Sequence, residues 1–345
     1  MNEYKGIWII GEQKEGIIQS ITYELLARAL ELKGSRAHEI SIVIFGNIHD
    51  AELKKIRNVN ADYLLQINDR RVDYFLPEPY ANILYDLVQK RRPEIIIGGA
   101  TSSGRTIMPL VATRCRTGLT ADCTKLEFEE KTGHLLQSRP AIGGNIMATI
   151  KCADNRPQMA TVRPKSFSSK LKTSEKILEI ITMVPEEKLF SSSVKRIKFT
   201  PISENSSNIQ ESDVIAAGGR GLKKKENFKL INRLAALLGG CAGATRDAVD
   251  RGWAAYPQQI GLSGKTVSPK LYFCAGVSGS VQHLAGIKTA ANIIAVNNDC
   301  EAQIFKIADL GIAADLFELL PLLIEKIEKS RKSVNDKNFS GAEHE

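Results

Sequence analysis

Uninterrupted apolar runs alternate with helical patterns through the first hundred residues, and this alternation constrains the fold more than any other feature. A run that is apolar at successive positions predicts a strand buried on both faces, which is typical of a parallel sheet covered by helices. The alternation therefore predicts a doubly wound, mostly parallel α/β sheet. The predicted strands are residues 6–11 (GIWIIG), 40–45 (ISIVIF), 62–67 and 94–97, and the predicted helices are residues 18–32 and 80–88.

The pattern then changes and restarts, which predicts two domains. Residues 164–212 offer the fewest candidates for a core, and the segment 203–213 (SENSSNIQESD) is typical of a linker. We expect an N-terminal α/β domain over residues 1–205, a C-terminal Rossmann-like domain over 206–330 and a flexible tail over 331–345. Shorter β segments are predicted at 123–128, 134–138 and 147–150; in the second domain, strands are predicted at 213–217, 271–275 and 292–297, and helices at 226–238, from about 280, and at 316–327.

Composition narrows the class of protein. The chain has 345 residues, of which 43% are hydrophobic and 25% charged, as in ordinary globular proteins. Its longest apolar stretches fall far short of the roughly 20 residues of a membrane-spanning helix. The N-terminus has no layout of basic, apolar and small-residue regions typical of a signal peptide. These features predict a cytoplasmic protein with no membrane association.

Charge and cysteine usage exclude two further classes. The net charge is +8, but the basic residues are dispersed and have no interleaved aromatics, so we expect no nucleic-acid partner. Docking to an acidic protein or an anionic cofactor remains open. The six cysteines are scattered without a C-x-x-C pair, which predicts no metal or iron–sulfur site.

Residues 98–106 (GGATSSGRT) match the P-loop pattern except at its lysine, which is Arg105 here. A P-loop NTPase is therefore the main alternative from another class of protein. That class also needs an acidic residue at the end of an apolar strand, whereas Asp213 precedes its strand. A second similar segment, residues 261–266 (GLSGKT), has Gln259 where the leading glycine belongs.

Several glycine-rich turns follow predicted strands of the second domain. Glycine allows close approach of the backbone to a ligand, and arginine can meet an anion. The carboxyl edge of an open α/β sheet is where ligands bind. Each feature taken alone is more often structural: a glycine-rich turn is usually only a turn, Thr245 is an ordinary helix N-cap, and a single histidine is a packing residue. The turns are residues 217–221 (AGGRG), 243–246 (GATR), 261–266 and 275–286 (AGVSGSVQHLAG).

Taken together, these segments resemble the α subunit of electron-transfer flavoprotein. The resemblance is carried in unbroken order from about residue 213 to 327 by the blocks GGRGLKKKENFKL, GATRDAVDRGW, GLSGKTVSPKLY, AGVSGSVQHLAGIK and NNDCEAQIFKIADLGIAADLFELLP. It extends through the first domain in TGLTADCT (117–124), SRPAIGGNIMATI (138–150) and RPQMATVRP (156–164).

The resemblance implies that the second domain binds FAD and that a separate β subunit completes a heterodimer. One FAD would lie on this subunit, and a second FAD or an AMP in the β subunit. The implied FAD contacts are Arg220, Thr245, Arg246, Ile260, Gly261, Leu262, Ser263, Ser278, Gly279, Ser280, Val281, Gln282, His283, Asn297, Asp315 and Leu316.

Three of these residues are implied to tune the flavin. Arg246 would favour negatively charged reduced forms of the ring by Coulomb attraction. Ser263 would hydrogen-bond near the ring nitrogen N5, and His283 would donate a hydrogen bond to a ring carbonyl. Backbone N–H groups around Ser278–Ser280 would receive the pyrophosphate, with Asn297 and Asp315 placing the adenosine half.

The resemblance also implies partners. We expect electron exchange with an acyl-CoA dehydrogenase. The GLSGKTV and SRPAIGGNIMATI segments look more like the bacterial electron-bifurcating branch, whose members oxidise NADH and split electrons between ferredoxin and the dehydrogenase. The chain departs from the common G-Q-T-G turn at Leu262 and Ser263. Serine keeps the hydroxyl, whereas leucine leaves only backbone contact to be expected at its position.

Overall fold

The chain forms two compact units, residues 1–200 and 201–345. A computed structural model describes residues 4–34, 38–141, 146–167, 171, 174, 176–198 and 208–340, with the side chains of 332–340 excepted. The predicted boundary between residues 205 and 206 lies outside the described residues. Within the described part, no helix is long and apolar enough to cross a membrane.

The first unit contains a large parallel sheet and a small antiparallel one. Its helices are α1 (Ser20–Lys33), α2 (Asp50–Ile56), α3 (Pro77–Arg91) and α4 (Gly104–Arg114). Its strands are β1 (Ile7–Ile10), β2 (Gln13–Lys14), β3 (Ile17–Ile18), β4 (Ile40–Phe45), β5 (Tyr63–Ile67), β6 (Ile95–Gly99), β7 (Leu119–Cys123), β8 (Lys125–Phe128), β9 (Leu135–Ala141), β10 (Ile146–Ile150), β11 (Gln158–Val162) and β12 (Glu179–Met183). The seven-stranded parallel sheet has the order β12-β5-β4-β1-β6-β11-β7, and the three-stranded antiparallel sheet has the order β10-β9-β8.

Burial on both faces explains the apolar runs. Along β1, Ile7 and Ile9 belong to one buried cluster, whereas Trp8 and Ile10 belong to the cluster on the opposite face. Successive side chains of a strand point to opposite faces, so a sheet with helices on both sides needs apolar residues at every position. The predicted α/β class with a doubly wound, mostly parallel sheet is confirmed.

Three strands of this sheet, β7, β11 and β12, were not predicted individually from the sequence. Strand β11 is buried along its whole length although it carries Gln158 and Thr161, and the Gln158 side chain accepts a hydrogen bond from the Leu135 backbone at 2.8 Å. Strand β12 comes from the stretch considered too polar for a core. It lies at the sheet edge, pairs only with β5 and leaves Glu179 exposed, so an edge strand tolerates its mixed composition.

The second unit contains a five-stranded parallel sheet. Its strands are β13 (Val214–Gly218), β14 (Cys241–Ala244), β15 (Leu271–Ala275), β16 (Ile293–Asn297) and β17 (Leu310–Ala313), and its helices are α5 (Phe228–Leu237), α6 (Arg246–Asp250), α7 (Val281–Leu284) and α8 (Leu316–Ser340). The strand order in the sheet is β14-β13-β15-β16-β17. The sequence did not predict β14 and β17, because each has only four residues and includes glycine and alanine.

The last helix continues further than the sequence suggested. We expected its end at Ile327 and a flexible tail from residue 331, but α8 extends to Ser340. An ion pair of 2.6 Å between Glu325 and Lys329, one turn apart, is of the kind that supports an exposed helix. Residues 341–345 of the expected tail lie outside the described residues.

Candidate functional site

The predicted site residues lie at one edge of the second sheet. Each either follows the carboxyl end of a parallel strand or belongs to a loop that folds back onto that end. Arg220 follows β13, Thr245 and Arg246 follow β14, Ser278 follows β15 and Asp315 follows β17. Backbone hydrogen bonds join the neighbouring loops: Gly219 donates to Ala275 at 3.0 Å, and Thr245 donates to Gly218 at 3.1 Å. This is the position at which open α/β sheets bind ligands.

Glycines allow two of these loops to touch through their backbones. A Cβ atom on Gly219 would lie 2.3 Å from the carbonyl oxygen of Gly276, and one on Gly221 would lie 2.6 Å from the Cα of Gly276. Gly276 itself has a φ of +63°, which favours glycine. The AGGRG turn is therefore built for close packing of two strand-end loops, and Arg220 is carried at its surface.

Thr245 and the arginines give this edge its polarity. The Thr245 hydroxyl oxygen is buried and has no hydrogen-bond partner among the described residues. The Arg246 side chain is 71% exposed and lies 3.3 Å from Asp250, while Arg220 Nε lies 3.6 Å from Asp247. Exposed ion pairs of this kind contribute little stability, so both guanidinium groups can exchange partners with an anion.

The segment from Ile260 to Ser263 forms a turn that is bonded on both sides. Ile260 donates its backbone N–H to Ala244 at 2.9 Å, and Leu262 donates to Gln282 at 2.8 Å. The Leu262 side chain is 74% exposed, and Ser263 is also at the surface. The turn therefore belongs to the same edge, and it carries Ser263 at the surface.

The loop after β15 offers backbone donors. Gly279, Val281 and Gln282 donate their backbone N–H groups to no backbone carbonyl in the described chain, whereas His283 donates to the Ser280 carbonyl at 2.9 Å. The loop is held at Gly279, whose φ is +83° and whose Cβ, if present, would lie 2.3 Å from a backbone nitrogen of the neighbouring loop. A rigid loop with unused N–H groups is suited to receiving phosphate oxygens.

His283 lies beneath this loop. Its ring is 5% exposed; Nδ1 lies 3.1 Å from the Ile260 carbonyl oxygen and Nε2 lies 2.9 Å from the Tyr272 hydroxyl. Since a carbonyl can only accept, Nδ1 carries the proton and Nε2 accepts from the tyrosine. Burial lowers the pKa of His283 to about 4, against the smaller opposing effect of the Ile260 hydrogen bond. Donation from this ring to a ligand therefore requires exchange of one of these two bonds.

The remaining predicted residues also support the edge from within. The Asn297 side chain is buried, donates to the Val277 carbonyl at 2.9 Å and accepts from the Asp299 backbone at 3.0 Å. The exposed Asp315 carboxylate accepts from the backbone of Phe317 at 2.8 Å at the start of α8. Leu316 is buried in the core of the second unit. The structure thus brings all predicted segments to one edge, some as exposed groups and others as buried supports.

Sequence patterns did not reveal every residue that shapes the site. Gln259 and Tyr272 are buried, and their side chains contact Ser263 and His283. Asp247, which bonds Arg251 at 3.1 Å in addition to pairing with Arg220, was also not predicted. Asp247 and Tyr272 stand in the blocks GATRDAVDRGW and GLSGKTVSPKLY but were given no role there, and Gln259 attracted notice only as the residue that breaks a P-loop pattern.

The GGATSSGRT segment lies in the first unit, where it joins β6 to α4. Arg105, the residue in place of the P-loop lysine, pairs with Asp122 at 3.5 Å. Thr101 donates its hydroxyl to Glu12 at 2.6 Å and accepts the backbone N–H of Gly104 at 3.0 Å. A carboxylate at the start of this helix repels phosphate, which argues against the NTPase alternative.

Comparison with known proteins gives matches along most of the chain. The family model described as electron transfer flavoprotein domain matches residues 7–187, and the one described as electron transfer flavoprotein FAD-binding domain matches residues 208–288. Electron transfer flavoprotein subunit alpha of Thermoanaerobacterium thermosaccharolyticum is 40% identical over 95% of this chain and 99% of its own length. The protein of the same name from Clostridium acetobutylicum is 40% identical over 94% and 98%. Subunit LctC of the lactate dehydrogenase (NAD(+),ferredoxin) of Acetobacterium woodii is 37% identical over 98% of this chain and 80% of its own length.

Proposed function

Because this chain belongs to the electron transfer flavoprotein family, as an α subunit, we propose that it holds one FAD at the carboxyl edge of its second sheet and exchanges electrons there with a dehydrogenase. The α subunits of this family pair with a β subunit. The observation that carries the proposal is the gathering of an unpartnered buried hydroxyl, unused backbone donors and two exposed arginines at that edge.

These groups fit an anionic dinucleotide. The Thr245 hydroxyl lacks a partner in the described chain and is available to a ligand. Backbone N–H groups of the 278–282 loop supply donors suited to the pyrophosphate, and Asn297 keeps this loop fixed through its bond to the Val277 carbonyl. The flavin, once bound, supplies the redox chemistry, and the chain supplies binding, orientation and charge.

Two exposed side chains would tune the site. Arg246 places a positive charge at the strand edge and favours the addition of negative charge to a bound ring. Ser263 presents a hydroxyl from the 260–263 turn. His283 is held neutral and buried beside that turn, so in this proposal it acts mainly by fixing the turn, and it contacts the flavin only if it exchanges a present bond.

We further propose that the heterodimer is of the bifurcating kind, with a second FAD in the β subunit, NADH as donor, and ferredoxin and an acyl-CoA dehydrogenase-type enzyme as acceptors. The support is the similarity to LctC, whose name contains both NAD(+) and ferredoxin, together with the sequence segments that resemble this branch. The alternative is a plain electron shuttle with AMP in the β subunit.

The test is to produce the chain with its β subunit and count bound cofactors. We expect FAD in the purified heterodimer, and loss of FAD from the α site when Arg246 and Thr245 are both changed to Ala. A heterodimer that binds no flavin and hydrolyses ATP would refute the proposal. Two FAD with NADH-dependent ferredoxin reduction supports bifurcation, and one FAD with one AMP supports the shuttle.

A further inference from the structure

The Ser263 hydroxyl has a buried partner in its own turn. The side-chain nitrogen Nε2 of Gln259 lies 3.1 Å from Ser263 Oγ and is the donor of this hydrogen bond. Gln259 is only 4% exposed, whereas Ser263 lies at the surface. An amide N–H can only donate, so the serine oxygen accepts, and its own proton is free to point to another acceptor.

Gln259 is fixed by the backbone around it. Its carbonyl accepts the Lys265 backbone N–H at 2.7 Å, and its own N–H donates to Tyr256 at 2.9 Å. Gly264 leaves just enough space, because a Cβ there would lie 2.4 Å from the Gln259 carbonyl oxygen and 2.9 Å from its Cγ. The turn is thus closed over the glutamine side chain, and the amide has little freedom to turn away.

The surface side of the same serine is also held. The Tyr256 hydroxyl donates to the Ser263 carbonyl at 3.2 Å, and Gly264 donates its backbone N–H to Gly261 at 3.0 Å. With the backbone held by these bonds and the hydroxyl oxygen held by Gln259, the remaining freedom of Ser263 is the direction of its O–H bond. Because the Ser263 oxygen already accepts a hydrogen bond from the buried Gln259 side chain, its own O–H group donates most readily towards the surface.

We propose that Gln259 is a positioning residue for the flavin: by donating to Ser263 Oγ it directs the serine proton outwards, to the bound ring. This inference rests on the proposed function, since it needs an FAD that Ser263 contacts. It adds a residue that touches no ligand itself and that the family-derived contacts do not include. It also gives a reason for a glutamine at position 259, where a P-loop would have its first glycine. The buried Gln259 side-chain amide has a hydrogen-bond partner in the turn, the Ser263 hydroxyl.

The test uses the FAD-loaded heterodimer with four variants of this chain: Gln259→Met, Ser263→Ala, the double variant, and Gln258→Met as a matched control. Methionine keeps the length of glutamine but has no N–H. Gln258 is the adjacent glutamine and bonds the Ala242 carbonyl at 3.3 Å, not the serine. The readouts are the flavin reduction potential, the flavin absorption spectrum and the urea midpoint of each heterodimer.

We expect Gln259→Met to lower the reduction potential in the same direction as Ser263→Ala and by less, because an O–H donor aimed at the ring favours added negative charge. In the Ser263→Ala background, Gln259→Met should give no further shift, and the control Gln258→Met should leave the potential at its wild-type value. If Gln259 had only a structural role, Gln259→Met would lower the urea midpoint. Its effect on the reduction potential would then be absent, or would add to that of Ser263→Ala in the double variant.

The outcomes separate the two levels of the proposal. A wild-type heterodimer without flavin overturns the proposed function. A potential that shifts in Ser263→Ala but not in Gln259→Met overturns the positioning role alone. An equal shift from Gln259→Met with and without the serine, or no shift in Ser263→Ala, overturns it as well.

Discussion

Lowering the pH should decrease the free energy of unfolding of the second unit, because His283 is buried without charge. The burial of its ring determines the size of this effect. The ordinary pKa of 6.5 is lowered to about 4 in the folded chain, chiefly because burial penalises the charged ring. Between these values the unfolded chain binds the proton more readily than the folded chain, so stability is complete above pH 6.5 and falls as the pH decreases towards 4. From about pH 7.5 to about pH 4.5 the loss amounts to about 2.5 kcal/mol for this one group.

The groups around the His283 ring do not titrate in this pH range, so they do not change the expected loss of stability. The Tyr272 hydroxyl that faces Nε2 keeps its proton throughout this range, because complete burial raises its pKa well above 10.0. The Ile260 carbonyl that faces Nδ1 does not titrate. A protonated ring would turn its Nε2–H towards the tyrosine oxygen and force that hydroxyl proton to another direction inside the core.

His283→Asn is the matched variant, since its amide can still donate to the Ile260 carbonyl but does not titrate. Urea unfolding should be followed by the fluorescence of Trp253, which packs in the second unit, in a Trp8→Phe background that removes the chain's other tryptophan. We expect the wild type to lose about 2.5 kcal/mol more than the variant over the same pH range. Equal pH dependence in the two proteins would refute the assignment of a neutral, buried His283.

Three further predictions concern a charge, a glycine backbone and a buried hydrogen bond. Arg246→Ala should lower the flavin reduction potential of the heterodimer, whereas Arg246→Lys should leave it close to the wild-type value because the positive charge remains. An unchanged potential in both variants, measured by spectroelectrochemical titration, contradicts the assigned role. Gly279→Ala should destabilise the second unit by about 2 kcal/mol or more, since φ is +83° and the added Cβ would lie 2.3 Å from a backbone nitrogen of Ile304. Gly252→Ala is its control: φ is +70° with no atom within 4 Å, so a urea midpoint as low as that of Gly279→Ala would contradict the steric argument. Tyr272→Phe should cost about 1–3 kcal/mol in urea unfolding, because it leaves a buried ring nitrogen without a donor; a cost near zero would show that the hydrogen bond is absent.

The fold class could be predicted from the sequence because its signal is local. Each apolar run, such as residues 40–45, indicates a strand that is buried on both faces, and this can be recognised without knowing the rest of the chain. Strand β11 could not be found this way, since Gln158 and Thr161 are buried polar residues whose acceptability depends on partners elsewhere in the chain. Edge strand β12 was missed for the opposite reason, because exposure permits polar residues that the rule for central strands excludes.

The site was accessible from the sequence only in part. Glycine-rich turns after strands predict where ligands bind, and the family resemblance supplied the residues that we expect to face a ligand there. The supporting contacts are different: whether Gln259 meets Ser263, or Tyr272 meets His283, depends on how loops from different strands close over each other. No spacing rule connects those residues, so only the structure reveals them.

The two units both contain a parallel sheet, and the groups at their strand ends are what lead us to propose the second and not the first as the site of an anionic cofactor. Both sheets end in glycine-rich loops that lead into helices. In the first unit the chain places the Glu12 carboxylate at the loop before α4, where it accepts the Thr101 hydroxyl at 2.6 Å. In the second unit the corresponding loops carry Arg220 and Arg246, and the Thr245 hydroxyl has no partner among the described residues. A phosphate near Thr101 would be repelled by the Glu12 carboxylate, whereas at the second edge the exposed Arg220 and Arg246 could exchange their acidic partners for it. The segment that most resembles a phosphate-binding motif therefore has its arginine, Arg105, paired with Asp122 and a carboxylate beside it, and for this reason our proposal places FAD at the edge of the second sheet.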